Sequence, residues 1–178
     1  MDVFADSDFA GCVRTRKSTS GGCILRGSHV LKHWTTTQKV VTLSSGEAEL
    51  AGVVKAAAEG LGLQSLAADF GVQTKLRVHA DSSAAIGVCR RSGIGRVRHL
   101  AVAQLWVQER LRSGAFSLHK VAGEDNPADL CTKHVGTAEV ERHVRRLGLR
   151  AATGRAASAP LVSTTVDRTL ATPRPKQS

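Results

Sequence analysis

Apolar and polar residues alternate over Asp2–Asp8, the period of a half-buried strand. Gly21–Gly27 and His29–Thr36 are two more short runs, centred on Cys23-Ile24-Leu25 and Val30-Leu31. Arg26-Gly27-Ser28 between them has the composition of a hairpin link, so the chain is expected to open with three antiparallel strands. From Leu50 the period changes. Val53, Val54, Ala57 and Leu61 follow at helical spacing, and Ser44 and Glu47 supply a capping box with Ser44 as N-cap. Gly60 and Gly62 are expected to loosen the last turns of that helix. Leu76–Ala80 reads as a fourth strand running into Asp81, and Ser83–Arg91 as a short helix. Leu100, Ala103, Val107 and Leu111 form another helical stripe, ended by Gly114. Ala115–Val121 alternates as a fifth strand, and Asn126-Pro127 opens a final helix with Asn as N-cap and Pro at N1.

Strands first in hairpins and later separated by helices imply an α/β mixed sheet with helices on its faces. A compact unit over residues 1–136 is expected, then a short helix within residues 137–150 and a basic, disordered tail over 151–178 rich in Ala, Thr, Ser, Pro and Arg. Hydrophobic residues make up 42% of the 178, so a core can form, and no apolar run approaches the ~20 residues of a membrane span. Neither a membrane partner nor a cleavable signal is expected, and an intracellular setting follows, a cytoplasmic particle or the nucleus.

Lys and Arg number 25 against 15 Asp and Glu, a net charge of +10, which favours a polyanionic partner. Residues 1–136 hold 17 basic and 12 acidic groups; residues 137–178 hold 8 and 3, so the shorter segment is the more basic per residue. Cys12, Cys23, Cys89 and Cys131 form no C-x-x-C pair and are read as buried thiols. With no Tyr, four Phe and two Trp, aromatic base-stacking platforms are not expected, and Trp34 and Trp106 are read as core anchors.

Four acids fall where chemistry could use them: Asp6 in the first strand, Glu49 in the first helix, Asp81 ending the fourth strand, and Asp129 in the first turn of the last helix. Hard Mg²⁺ takes oxygen ligands, and paired ions can stabilise the attacking and leaving oxygens of a phosphodiester together. Each acid also has a structural reading. Asp8 competes with Asp6, capping takes Glu47 and leaves Glu49 free, Asp81 could cap the next helix, and Asp129 suits a helix dipole.

Phe4-Ala5-Asp6-Ser7-Asp8-Phe9-Ala10-Gly11-Cys12, Thr15-Arg16-Lys17-Ser18-Thr19-Ser20-Gly21 and Leu43-Ser44-Ser45-Gly46-Glu47-Ala48-Glu49-Leu50 resemble successive blocks of one family. So do Ala80-Asp81-Ser82-Ser83-Ala84-Ala85-Ile86 and Gly123-Glu124-Asp125-Asn126-Pro127-Ala128-Asp129-Leu130-Cys131-Thr132-Lys133, with Arg96-Val97-Arg98-His99-Leu100 as a weaker sixth. The family is the ribonuclease H domain of copia-type (LTR) retrotransposon Pol polyproteins, and the blocks keep its order over residues 2–133.

The resemblance implies a ribonuclease H-like fold: a five-stranded mixed sheet, three antiparallel strands then two parallel, with flanking helices. It implies cleavage of the RNA strand of an RNA–DNA hybrid with two Mg²⁺ ions, Mn²⁺ substituting, to leave a 3′-hydroxyl and a 5′-phosphate. The family's metal-binding catalytic acids match Asp6, Glu49, Asp81 and Asp129, with Asp6 preferred to Asp8 and Glu49 to Glu47. By that carry-over Asp6 bridges both ions, Glu49 and Asp81 hold one, and Asp129 holds the other. Reverse transcriptase and integrase domains of a parent polyprotein are the implied neighbours, and the chain is read as a fragment of such a polyprotein or a degenerate copy.

Phosphate contacts are expected from Arg14, Arg16, Lys17, Lys39, Arg96 and Arg98, with the hybrid read by shape and 2′-hydroxyls. His99 and His119 are read as packing or surface residues. Two departures stand out: no histidine lies in the loop Ala122–Pro127, and Ala101, Ala103 and Gln108 replace polar or charged family positions on the long helix, lessening hybrid contacts. The alternative is a catalytically inactive, nucleic-acid-binding remnant. A transposase or integrase core ranks lower, because Glu49 lies between Asp6 and Asp81.

Overall fold

The first strand, β1 (Asp2–Ser7), is buried along nearly its whole length, as a strand covered on both faces must be. It pairs antiparallel with β2 (Thr19–Arg26), from Asp2 opposite Leu25 to Ser7 opposite Ser20. A hairpin with Gly27 in the left-handed region (φ 61°) joins β2 to β3 (His29–Thr37), and the register slips at Ile24/Leu25. On its other side β1 pairs parallel with β4 (Arg77–Ala80), and β4 pairs parallel with β5 (Ser117–Lys120). The order β3-β2-β1-β4-β5 is the five-stranded mixed sheet expected. The structure is a computed structural model that describes residues 1–93 and 101–150. Arg96, Arg98, His99 and the tail from residue 151 lie outside the described residues.

Helix α1 (Ser45–Asp69) covers one face of the sheet. Ser44 caps it as expected, the Glu47 amide donating to Ser44 Oγ at 3.3 Å, and Glu47 Oε2 reaches back to accept from the Leu43 amide, one residue before the N-cap, at 2.8 Å. The helix continues through Gly60 and Gly62 instead of loosening there. At Gly60 a Cβ would stand 2.8 Å from Leu76 Cδ1 and 3.0 Å from Val3 Cγ2, so this glycine is where the helix seats on the sheet. Val3, Ala5, Ile24, Val53, Ala57, Val78 and Val107 form the centre of this core, with Trp34 at its edge as an anchor.

α2 (Ser83–Arg90) and α3 (Ala101–Arg112) pack on the same side. Gln108 is buried: its Nε2 donates to the Val88 and Gly93 carbonyls at 2.9 and 3.1 Å, and its Oε1 accepts from the Gly93 amide. It clamps the α2–α3 connection and is no hybrid-contact position. On the opposite face Phe4, Cys23, Leu25, Ala128 and Leu147 make a second, smaller cluster. Leu147 comes from the end of α4 (Thr137–Arg146), whose Arg146 lies over the Phe4 ring at 5.8 Å. Cys23 and Cys89 are buried free thiols, whereas Cys12 and Cys131 are only partly covered. Among the described residues no helix is long and apolar enough to cross a membrane.

Candidate active site

Strand pairing brings the acids together. β1 and β4 run parallel side by side; the chain leaves the end of β1 towards β2 and the end of β4 towards β5, so a crevice opens at their carboxyl ends. Asp6 occupies that end of β1, and Asp81 directly follows Ala80, the last residue of β4. Glu49 stands one turn inside α1, where the helix crosses the same end. Gly52, three residues on, permits the close crossing: a Cβ there would lie 3.3 Å from the Asp6 carbonyl.

The result is that Asp6, Glu49 and Asp81 each offer a carboxylate oxygen within 4.8 Å of the others. Asp6 is fully buried, Glu49 and Asp81 half-buried. Burial pushes the Glu49 carboxyl up to about 8, and the charges of Asp6 and Asp81 add to the rise while the charge of Lys133 and then the Ser7 amide oppose it. Asp81 is raised by burial and then by Asp6. Three acids that repel one another in a shielded crevice offer donors, all hard oxygens, of the kind that suits a divalent cation.

The competing acids have structural occupations. An Asp8 oxygen takes the Thr19 amide and so ties the loop after β1 to the start of β2. Glu47 caps α1. Asp81 does not cap α2, because Ser82 does: its Oγ accepts from the Ala85 amide at 3.2 Å. Asp8 and Glu47 thus hold backbone amides, whereas Asp6 and Glu49 face Asp81.

Asp129 arrives on a 3-10 turn, Pro127–Cys131, in place of the expected final α-helix. Asn126 caps the turn as read from the sequence, and its Nδ2 also donates to the Ala5 carbonyl at 2.9 Å, docking the turn beside β1. Gly21 makes room for it: a Cβ there would meet Cys131 Cβ and Thr132 Cγ2 at 2.6 Å. Asp129 does not join the three-acid group. Its link to Asp6 runs through Lys133, whose Nζ donates to Asp129 Oδ1 at 3.0 Å and to Asp6 Oδ1 at 3.1 Å. The Thr132 hydroxyl donates to the other Asp6 oxygen. Asp129 is raised by burial, against the pull of Lys133. For Lys133 burial works to discharge the ammonium, but Asp6 and Asp129 outweigh it and its pKa is raised. No role for Thr132 or Lys133 was expected from the sequence: both lie just past the 3-10 turn, and their reach to Asp6, 126 and 127 positions away, has no local signal.

Gln38 is a further residue the sequence did not single out. Buried at the end of β3, its Nε2 lies 2.9 Å from Ser7 Oγ, 2.8 Å from Ser20 Oγ and 2.9 Å from the Ala48 carbonyl, joining three strands and α1 beside Glu49.

The chain is 29% identical over 134 residues, 74% of its length, to the retrovirus-related Pol polyprotein from transposon TNT 1-94 of Nicotiana tabacum. It is 26% identical over 152 residues, 84% of its length, to that from transposon RE2 of Arabidopsis thaliana. It spans about a tenth of the length of each. No protein-family model matches the chain. Among solved structures, RNase H1 of the halophilic archaeon Halobacterium salinarum NRC-1 aligns with a TM-score of 0.52 at 18% identity, covering 74% of this chain and 92% of that one. LC11-RNase H1, crystallised in complex with an RNA/DNA hybrid, aligns with the same TM-score and coverages at 14% identity. The chain has the ribonuclease H-like fold, and its sequence is similar to a stretch of retrotransposon Pol polyproteins.

In this ribonuclease H-like domain the described basic candidates share the site's end of the sheet. Arg14, Arg16 and Lys17 lie on the loop between Ser7 and Thr19, and Lys39 follows Thr37, which pairs with Thr19. Arg14, Arg16 and Lys39 are exposed and Lys17 is half-buried. The loop is held by Ala10 N–H to Ser18 Oγ at 3.0 Å and Arg16 N–H to the Cys12 carbonyl at 2.7 Å. His119 is exposed at the far strand β5, stacked on His79 with ring centroids 5.4 Å apart, a surface residue as expected.

Proposed function

We propose that this domain is a metal-dependent endonuclease that hydrolyses the RNA strand of RNA–DNA hybrids within a retrotransposon polyprotein. The observation that carries the reading is the convergence of Asp6, Glu49 and Asp81 within 4.8 Å at the carboxyl ends of two parallel strands. These three carboxylates would hold a divalent ion, Mg²⁺ with Mn²⁺ as a substitute, and Asp129 with Asp6 would hold a second. Such an ion supplies the charge neutralisation and Lewis acidity that phosphodiester hydrolysis requires.

The chain's own groups orient that chemistry. Thr132 fixes the rotation of the Asp6 carboxylate, and the Ser7 amide and the Gln38 cross-link hold the start of α1 against β1. Arg14, Arg16, Lys17 and Lys39 would take backbone phosphates, and the hybrid would be recognised by its shape and 2′-hydroxyls, without base contacts. Reverse transcriptase and integrase domains would be its neighbours in the longer chain.

The test is cleavage of an end-labelled hybrid in Mg²⁺ and in Mn²⁺ by the wild type and by Asp81→Asn. Wild-type cutting is expected, with a loss of at least a hundredfold in the variant, the scale on which removing one preorganised electrostatic group acts. Equal rates would overturn the proposal. The basic excess of this chain gives a second reading substance, a catalytically inactive remnant that binds nucleic acid; salt-dependent hybrid binding with no cleavage in either metal would select it.

A further inference from the structure

Asp6 faces two different surroundings. Towards Glu49 and Asp81 it meets two more carboxylates within 4.8 Å, and among the described residues neither of those two forms an ion pair, the charge of Lys133 reaching them only from a distance. Towards Asp129 it meets the ammonium of Lys133, which bridges Asp6 Oδ1 and Asp129 Oδ1 at 3.1 and 3.0 Å. The side chains of Asp6 and Asp129 are 0% and 9% exposed, so this contact is shielded from solvent at its acid end, while Lys133, 42% exposed, opens outward at its stem. Asp6 is thus shared between two sides: Glu49 and Asp81 face it with no cation in contact with either of them, whereas Asp129 faces it with Lys133 in between.

We propose that Lys133 is a built-in counter-ion seated where a second divalent ion would bind between Asp6 and Asp129. The free domain then takes one divalent ion, at Asp6, Glu49 and Asp81, and admits another only when Lys133 leaves. This rests on the nuclease reading for the kind of ligand the acids take. The reasons are electrostatic. The repulsion between Asp6 and Asp129 that would draw an ion is cancelled by the ammonium, and an incoming divalent ion would meet like charge at short range. Removing one partner of such a pair leaves a buried charge without compensation, so Lys133 also keeps Asp6 and Asp129 together when no ion is present. Its outward stem lets a substrate phosphate give the ammonium a new partner, which couples admission of the second ion to arrival of the substrate.

The experiment counts Mn²⁺ bound to the full chain without hybrid, by the electron paramagnetic resonance of free Mn²⁺ and by calorimetry. One ion is expected on the wild type and on Lys133→Arg, which keeps the cation. Lys133→Met is expected to bind two, or to bind the second at least tenfold tighter than wild type, and Lys133→Met with Asp129→Asn is expected to return to one. In EDTA the melting midpoint of Lys133→Met should fall below that of wild type, and Mn²⁺ should raise it by more than it raises the wild type. Should Lys133→Met not fold without metal, the wild-type count decides. Two ions of comparable affinity on the wild type, no ion at all, or a Lys133→Met that stays at one with wild-type affinities would overturn the inference. A domain that binds one ion yet cuts no hybrid defeats the nuclease reading and leaves this one standing; a domain that cuts hybrid but binds two ions equally beside Lys133 does the reverse.

Discussion

Asp2 stands at the end of β1 opposite Asp6 and joins β1 to β4 by side chains. Arg77 Nε and Nη2 each donate to one of its oxygens at 2.7 Å, and His79 Nε2 lies 2.9 Å from Oδ1. The Arg77 hydrogen bonds hold the carboxyl at about 2, against an ordinary 3.8, overcoming burial, with His79 assisting. A carboxyl depressed in the fold stabilises it above the unfolded pKa, and that contribution fades as pH falls through about 2. At full value the shift is worth ~2.5 kcal/mol at 1.36 per unit, but Arg77 is half exposed and screening leaves about 1 kcal/mol. Asp2→Asn should therefore lower the melting midpoint at pH 7, and the two midpoints should converge as pH falls from 4 to 2. Parallel curves over that range would show that the pair contributes nothing. The sequence disclosed single residues unevenly. Asp6, Glu49 and Asp81 could be singled out only through the resemblance of their sequence blocks, since each taken alone reads equally well as a strand, helix or capping acid; their convergence comes from strand pairing that no local pattern encodes. Lys133 was not singled out, since its role likewise depends on a pairing across 127 positions of chain.

At the scale of elements, α1 holds two glycines whose effects should have opposite sign. Gly60 is packed against Leu76 and Val3, so the methyl of Gly60→Ala would force the helix off the sheet, at a cost of about 1–3 kcal/mol. Gly62, two residues on, has nothing within 4 Å of a Cβ, so Gly62→Ala should stabilise the domain by roughly 0.5–1 kcal/mol through helix propensity alone. Urea unfolding of both variants measures this; two changes of the same sign would show that α1 does not seat at Gly60. Periodicity gave the strands and the body of this helix correctly, because alternation and the 3.6-residue stripe report which side of an element is buried. It could not tell a glycine that weakens a helix from one that lets it approach a neighbour. Nor could it reveal that Asn126-Pro127 begins a 3-10 turn of five residues, since the turn is held tight by tethers to Ala5 and Asp6 on a strand far away in the chain.

For the whole molecule the decisive quantity is where the charge sits. The net +10 is partly a matter of the segment beyond residue 136, whereas Arg14, Arg16, Lys17 and Lys39 gather at the end of the sheet that carries the acids. On the proposed reading, a hybrid at that end would bring its phosphates close to buried carboxylates, and the basic loop after β1 would offset the repulsion. If the six expected basic residues each displace counterions from one phosphate, log affinity for hybrid should fall against log salt with a slope of about −5, roughly a thousandfold between 50 and 200 mM. Neutralising Arg14, Arg16 and Lys17 together to Gln should weaken binding at low salt and bring the slope near −3 by the same count. Fluorescence anisotropy with a labelled hybrid in EDTA, which prevents cleavage, gives both slopes. An unchanged slope in the triple variant would place the hybrid away from this loop. The basic charge beyond residue 136 would then be the binding element, and the acids would have to be reached from another side of the sheet.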